Sequence, residues 1–306
     1  MRILFAGTPA FALPSLRALA DAGHEVVAVA TNPDAPSGRG RTLSPSPVAQ
    51  LADEMGVPKL QPARARDDWF VDAVAELNLD AAVIVAWGCL IPERLLGVPK
   101  LGWVNLHFSL LPAWRGAAPV QRAIMAGERQ TGVTTFRLVR EMDAGPIWRR
   151  EVADIGPDET AGEVLDRLSV LGAGVLRQTL DDAEAGIPPV DQPAQGITLA
   201  PKVTVDDARI DWSQRRRQVY DLIRGVTPAP GAWTMLGDAR IKVLKGGVAD
   251  ATGLAPGQLR ASSHCLLVGT SDGALELMAV QAPGKPAMAG ADWARGARLS
   301  EGARLE

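Results

Sequence analysis

The sequence predicts an α/β protein: a parallel sheet covered by helices, followed by a smaller β-barrel or sandwich. Three observations predict it. Over the first part of the chain, short unbroken apolar runs alternate with stretches of helical spacing, the β-α-β rhythm of a parallel sheet. A Pro/Gly/Gln-rich stretch then interrupts that rhythm. Beyond it the texture changes to short strand-like pieces separated by Gly-rich turns. A chain of 306 residues has room for two domains at roughly 100–200 residues each. The expected division is a first domain over 1–189, a linker over 190–206 and a second domain over 207–306.

The elements follow in order. Arg2–Ala6 is apolar, closes on Gly7-Thr8-Pro9 and reads as the first strand. Phe11–Ala22 carries Leu13, Leu16, Leu19 and Ala20 at helical spacing and stops at Gly23. Glu25–Thr31 supplies the second strand and completes the β-α-β unit. Helices are expected near Pro47–Met55 and Asp67–Leu77. The unbroken apolar character of Ala81–Ala86 fits a strand buried on both faces. Trp103–His107 reads as a strand, Ala118–Ala126 as a helix and Gly132–Arg140 as a longer strand. Glu159–Ala185 reads as a long helix in which Gly172 and Gly174 are places for a bend or break. Gly186-Ile-Pro-Pro, Gln192–Gly196 and Pro201 form the expected linker. In the tail a helix is expected at Gln214–Arg224, with strands at Arg240–Leu244, Cys265–Gly269 and Ala274–Val280. Ala289–Glu306 has little pattern and receives no role.

Composition narrows the classes of function. Hydrophobic residues make up 47% and charged residues 22%, close to a soluble globular average and unlike a disordered or collagen-like chain. The longest apolar run, Ala81–Ile91, is far shorter than the roughly 20 residues of a membrane helix. Arg2 leads straight into a strand, with no signal-peptide pattern. Cys89 and Cys265 lie far apart and offer neither a disulfide framework nor metal spacing. A soluble cytoplasmic protein without membrane contact is expected. The net charge of −3 excludes a basic nucleic-acid coat. The charge is uneven, however: residues 1–206 carry −6 and residues 207–306 carry +3. A tail that meets a polyanion and ordinary drift of composition both fit this asymmetry.

Gly7-Thr8-Pro9 stands where a dinucleotide-binding fold places its phosphate loop, but G-x-G-x-x-G is missing. Pro36–Thr42 has neither the lysine nor the spacing of a P-loop. With Arg39 and Arg41 among glycines, it reads either as a mobile basic loop that grips phosphates or as a solvated surface loop.

The most informative segment is Val104–Pro119. Asn105 and His107 stand two apart on a strand, so their side chains leave the same face. Asn brings an amide donor, and His a group that exchanges a proton near neutral pH. The carboxyl end of a parallel strand is where α/β folds place their sites. Asp143, in a Gly/Pro turn after a later strand, is a second candidate: a carboxylate that orients an imidazole or takes a proton, or a turn-capping aspartate. Asn, His and Asp with no nucleophilic Ser or Cys in evidence indicate transfer of an activated group to an incoming nucleophile. Of three histidines, His24 and His264 fall outside this constellation, so zinc is not expected.

Asn105-x-His107-x-Ser109-Leu-Leu-Pro112, followed by Asp143-x-Gly145, resembles the folate-dependent formyltransferases. Phe5–Pro9, Pro36–Gly40, Ser46–Val48, Val85–Gly88, Arg115–Pro119, Arg209–Trp212 and Gly284–Met288 extend the resemblance over nearly the whole chain, toward those members that formylate methionyl-tRNA. The resemblance implies a Rossmann-like parallel-sheet formyltransferase domain followed by a smaller OB-like β-barrel that binds tRNA. It implies 10-formyltetrahydrofolate as donor, methionyl initiator tRNA as acceptor and no metal, with a monomer favoured. Asn105, His107 and Asp143 are the implied catalytic residues. Ser109, Leu110, Leu111 and Pro112 would shape the folate site, and the pterin would lie near Val85, Ala86, Trp87, Gly88, Cys89 and Leu90. Arg39 would contact tRNA, with Arg41 as helper. Phe108 departs from the family, which places a small residue between the His and the Ser. If the strand continues, its side chain points away from the site; if the strand has ended, its bulk narrows the pocket.

Two other readings stay open at this point. A formyltransferase for an amino sugar nucleotide or a purine precursor would keep the three polar residues without needing the arginine loop or the barrel. A non-catalytic RNA-binding module would not need those three residues to converge.

Overall fold

The computed structural model describes residues 1–37, 42–300 and 302–306. The chain forms two compact units. The first takes in Met1–Ala117, Thr131–Asp154 and Leu165–Ala200; the second takes in Ala118–Gln130, Ile155–Val164 and Pro201–Glu306.

The first half of the chain runs β1 (Arg2–Gly7), α1 (Leu13–Asp21), β2 (Glu25–Ala30), β3 (Ala35–Ser37), β4 (Thr42–Ser44), α2 (Pro47–Glu54), β5 (Lys59–Leu60), α3 (Asp68–Glu76), β6 (Ala81–Val85), α4 (Glu93–Leu96), β7 (Trp103–His107), α5 (Pro119–Met125), β8 (Gln130–Arg137), β9 (Ile147–Asp154) and α6 (Ala161–Glu184). The main sheet has the order β5-β2-β1-β6-β7-β8-β9. From β5 to β7 every pairing is parallel, and β8 joins β7 antiparallel. This is the Rossmann-like parallel sheet expected, with a return strand that sequence periodicity alone could not orient. All five residues of β6 are buried, as a strand covered on both faces requires. The register Gly7↔Val85 and Ile84↔Asn105 brings the carboxyl ends of β1, β6 and β7 side by side. Gly7 permits the close approach: a Cβ there would lie 2.9 Å from the Val85 carbonyl oxygen.

The long helix α6 does not break at its glycines. Gly172 is where the helix meets β7, and a Cβ would sit 2.7 Å from Leu106 Cδ2. Leu106 is itself buried, so moving its side chain aside must displace packed neighbours. Gly174 has open space around its missing Cβ. Gly172→Val is therefore expected to cost about 1–3 kcal/mol by overpacking. Gly174→Ala is expected to gain about 0.8–1 kcal/mol of helix propensity. Denaturant unfolding of the two variants checks the contrast, which is lost if both shift the midpoint the same way.

The second unit is built on α7 (Arg216–Gly225), β10 (Ala232–Leu236), β11 (Ala239–Ala249), β12 (Leu259–Ala261), β13 (Leu266–Gly269), β14 (Ala274–Gln281), β15 (Met288–Ala289) and α8 (Gly290–Ala297). Its strands form an antiparallel half-barrel in the order β10-β11-β14-β13-β12, with β15 on β14. Ile210, Trp212, Tyr220, Ile223, Val243 and Leu277 pack in its core. The final residues, which show little pattern as sequence, belong to this core: Trp293 and Leu305 are buried in it, and Met235 and Glu306 exchange backbone hydrogen bonds. Small residues and Gly-rich turns mask the helix α8 in the sequence.

Of the stretch expected as a linker, Val190–Ala200 is hydrogen-bonded onto the first unit. Val190 exchanges backbone bonds with Ile147, and Arg115 pairs with Thr198 and Ala200. Proline- and glutamine-rich composition looks the same in a free linker and in a strap fixed by long-range backbone bonds.

Candidate active site

Asn105 and His107 lie at the carboxyl end of β7, between β6 and β8, with Asn105 paired to Ile84 and Phe136. Trp103, Val104 and Leu106 are buried and fix the strand. Asn105 is half-buried, and its side-chain amide makes no hydrogen bond among the described residues. A half-buried amide with unspent donors is a poor choice for stability and a good one for a substrate oxygen.

His107 is buried, with Phe136 edge-on at 6.4 Å between ring centres. Its Nε2 donates to the Trp114 carbonyl oxygen at 2.9 Å. A carbonyl only accepts, so the ring proton sits on Nε2. Nδ1 faces the Asp143 carboxylate at 3.9 Å. Burial pushes the His107 pKa below its ordinary value of 6.5; the Asp143 charge and the bond to Trp114 pull it back only in part. In its neutral form, which burial favours, the imidazole turns its bare nitrogen toward the carboxylate.

Asp143 follows β8 in a left-handed conformation, φ +48°, which costs a non-glycine residue unless the surroundings hold it. They do. Its Oδ2 accepts from the Gly116 N–H at 2.7 Å, and its carbonyl accepts from the Gln192 side chain at 2.8 Å. Trp114 is also left-handed, at φ +62°, and its N–H donates to Thr198 Oγ1 at 2.8 Å.

The residues expected at the donor site have mixed surroundings. Val85 ends β6, and Ala86 is left-handed at φ +50°. The Trp87 side chain is buried against Phe70, at 5.6 Å between ring centres, and its indole N–H has no partner among the described residues. Gly88 is exposed with φ +80°. Cys89 is half-buried, and burial pushes its thiol pKa up. Leu90 is 89% exposed, an apolar side chain with no protein partner over most of its surface. In the loop after β7, the Ser109 hydroxyl donates to the Ala113 carbonyl at 2.6 Å, and the Leu111 N–H bonds Thr134 Oγ1. Leu111 is buried with Phe136 and Ile147, Pro112 is buried, and Leu110 is half-buried. Ser109 and Leu111 thus set the course of this loop from within. The strand ends at His107, and the bulky Phe108 is buried edge-on against Phe11, 5.6 Å between ring centres. Arg39 and Arg41 lie outside the described residues.

Sequence reasoning misses the groups that hold the pair: the Trp114 carbonyl, the Gly116 N–H, Gln192 and Thr198. The Trp114 carbonyl lies only seven residues from His107 but is a backbone group, as is the Gly116 N–H, and neither has a side-chain signature; Gly116, Gln192 and Thr198 act across 27 to 84 residues. Among the described residues, no group of three or more His, Cys, Asp or Glu side chains is arranged to hold a metal ion, and no helix is long and apolar enough to cross a membrane.

At the end of a Rossmann-like sheet the structure thus gathers an imidazole, a carboxylate and an amide with no hydrogen bond among the described residues, groups able to exchange a proton and to donate to a substrate oxygen. Comparison with known proteins names the class. Residues 1–180 match the formyl transferase family and residues 202–298 its C-terminal domain. The methionyl-tRNA formyltransferase of Streptomyces coelicolor is 51% identical over 100% of this chain and 99% of its own. That of Mycolicibacterium vanbaalenii is 53% identical over 98% of each. HypX from Aquifex aeolicus, solved in complex with tetrahydrofolic acid, superposes with a TM-score of 0.67 at 20% identity, covering 96% of this chain; the chain spans about half of that protein, 47%. The chain belongs to the formyl transferase family and is an enzyme of formyl transfer. Within the family it groups with the methionyl-tRNA formyltransferases.

Proposed function

We propose that the chain moves the formyl group of 10-formyltetrahydrofolate to the α-amine of methionyl initiator tRNA, with Asn105, His107 and Asp143 as its catalytic residues. The observation that carries this reading is the buried His107 with the half-buried Asp143 carboxylate 3.9 Å away, beside an Asn105 amide that makes no hydrogen bond among the described residues. The amine nitrogen attacks the formyl carbon, and the carbonyl electron pair moves onto oxygen. Asn105 donates a hydrogen bond to that oxyanion. The His107 Nε2–H is spent on Trp114, so His107 donates from Nδ1 only in enzyme that has bound a solvent proton there before the attack; it keeps that proton through the step, and the facing carboxylate favours that state. Asp143 takes the proton released by the amine. Collapse breaks the bond from the formyl carbon to the folate nitrogen, which receives that proton, leaving the N-formyl amide and tetrahydrofolate.

The donor's flat pterin fits between the end of β6 and Leu90, where apolar surface and backbone polar groups stand together. The Ser109–Pro112 loop shapes that site. The family's solved relative from Aquifex aeolicus, with its bound tetrahydrofolic acid, supports a folate donor. The half-barrel suits tRNA contact: Arg240 and Arg209 lie over the Trp233 ring, their guanidinium carbons 4.0 and 5.6 Å from its centre, and both arginines are exposed. In this reading the enzyme works in the cytoplasm, as a monomer, without a metal and away from membranes.

The test is formylation of charged initiator tRNA from 10-formyltetrahydrofolate, run beside an amino sugar nucleotide. Transfer to the sugar and not to the tRNA would reverse the assignment. Arg39, flanked by Gly38 and Gly40, supplies a sharper version, with Arg41 as its helper. Arg39→Ala is expected to lower catalytic efficiency with tRNA while folate binding stays unchanged. Where Arg39 meets a phosphate, the logarithmic salt slope shrinks by about one unit; where it stacks on a base, efficiency falls without that change. Equal efficiency at every salt concentration would remove the loop from tRNA recognition.

A further inference from the structure

We infer that the segment Val190–Ala200 is a clamp that sets the geometry of the His107–Asp143 pair, with Gln192 and Thr198 as its positioning residues. The inference rests on the catalytic roles proposed above for His107 and Asp143.

Two residues around the imidazole hold left-handed conformations, Asp143 at φ +48° and Trp114 at φ +62°; Asp tolerates that region better than most residues, whereas the bulky Trp disfavours it. One presents the carboxylate to Nδ1, and the other presents the carbonyl to Nε2. Each is tied to the same segment. Gln192 Nε2 donates to the carbonyls of Asp143 and Gly145, both at 2.8 Å, and Gln192 Oε1 accepts from Arg115 Nη2 at 2.7 Å. One side-chain amide thus spans the Asp143 turn and the loop that carries Trp114. Thr198 Oγ1 accepts from the Trp114 N–H at 2.8 Å, and the Thr198 carbonyl accepts from the Arg115 N–H at 2.9 Å.

The loop is shaped to receive the clamp. Gly116 has φ +127°, and a Cβ there would lie 2.6 Å from the Ala200 carbonyl oxygen. The missing side chain lets Ala200 pass against the loop, while the Gly116 N–H remains aimed at the Asp143 carboxylate. Val190, bonded to Ile147 in both directions, anchors the other end. Among the described residues neither catalytic side chain hydrogen-bonds to the clamp. It acts on the backbone at Asp143 and Trp114, whose displacement moves both partners of the imidazole together.

Thr198→Val keeps the shape of the side chain and removes the acceptor. Gln192→Glu keeps the acceptor toward Arg115 and replaces two donated hydrogen bonds by repulsion against two carbonyls. Misplacement of reacting groups by about 1 Å costs on the order of 100-fold. Each variant is therefore expected to lower kcat by about 10- to 100-fold, with the KM for the folate donor and the melting temperature little changed, and Thr198→Ser restores kcat. The deciding measurement is a double-mutant cycle. In an Asp143→Asn background, where the carboxylate is gone, Gln192→Glu should lower kcat hardly further. A merely structural role would lower it equally in both backgrounds. Wild-type kcat in both clamp variants, or full additivity with Asp143→Asn, overturns the clamp. Wild-type kcat in Asp143→Asn alone overturns the catalytic reading on which it stands, so the two failures are distinct.

Discussion

Asn105→Ala is expected to lower the turnover of formyl transfer by about 10²–10³-fold, the loss of one oxyanion donor in the proposed mechanism, or about 2.7–4 kcal/mol of transition-state stabilisation. Donor affinity stays close to that of the native enzyme. The split follows from where the amide stands. It makes no hydrogen bond among the described residues, so removing it orphans no protein group and costs no internal bond. It sits half-buried at the end of a strand fixed by the buried Trp103, Val104 and Leu106, so the backbone stays in place. In the proposed mechanism its hydrogen bond strengthens as charge develops on the formyl oxygen, so kcat and not binding is expected to carry the effect. Single-turnover formylation with donor affinity measured alongside checks it. Near-normal turnover, or a loss seen entirely as weaker donor binding, would remove Asn105 from the oxyanion site.

How much of this was legible beforehand differs by level. The parallel core announces itself in the sequence because β6 is buried on both faces and shows nothing but apolar residues, and because helical spacing returns between strands. The Asn105/His107 pair is legible because a strand's two-residue period forces both side chains to one face. The tail residues Trp293 and Leu305, by contrast, reach their core through long-range contacts that leave no local periodicity. Gly172 reads as a helix breaker until Leu106 is seen where its side chain would go. The state of His107 was the least legible of all. Which nitrogen faces substrate depends on the Trp114 carbonyl, and the sequence holds no trace of that backbone group's direction. The donor role proposed for His107 thereby acquires a condition: with Nε2 engaged, Nδ1 must first gain a proton.

Asp143→Asn tests that condition with the larger expected effect. Asn is among the few residues that tolerate a left-handed backbone, so φ +48° is retained at little cost. Its Oδ1 still accepts from the Gly116 N–H, which now bonds Oδ2. The variant therefore changes charge and proton-accepting capacity and almost nothing else. Asp143→Ala would add strain of about 1–3 kcal/mol at that backbone angle and mix stability into the result. Two losses are expected in Asp143→Asn. The amine's proton loses its acceptor, which lowers kcat by about 10²–10⁴-fold. The imidazolium also loses the charge that favours it. Burial already holds the His107 pKa below 6.5, and the Asp143 charge is the larger of the two influences that raise it, so in the variant it drops further. A rate that needs protonated His107 falls as pH rises through that pKa. Accordingly, the alkaline fall of the residual kcat moves to lower pH than in the native enzyme. The measurement is kcat against pH for both proteins, with thermal unfolding to confirm that the variant is folded. Undiminished kcat would take the carboxylate out of the chemistry. A reduced kcat with an unmoved profile would leave Asp143 as proton acceptor and end its electrostatic role toward His107.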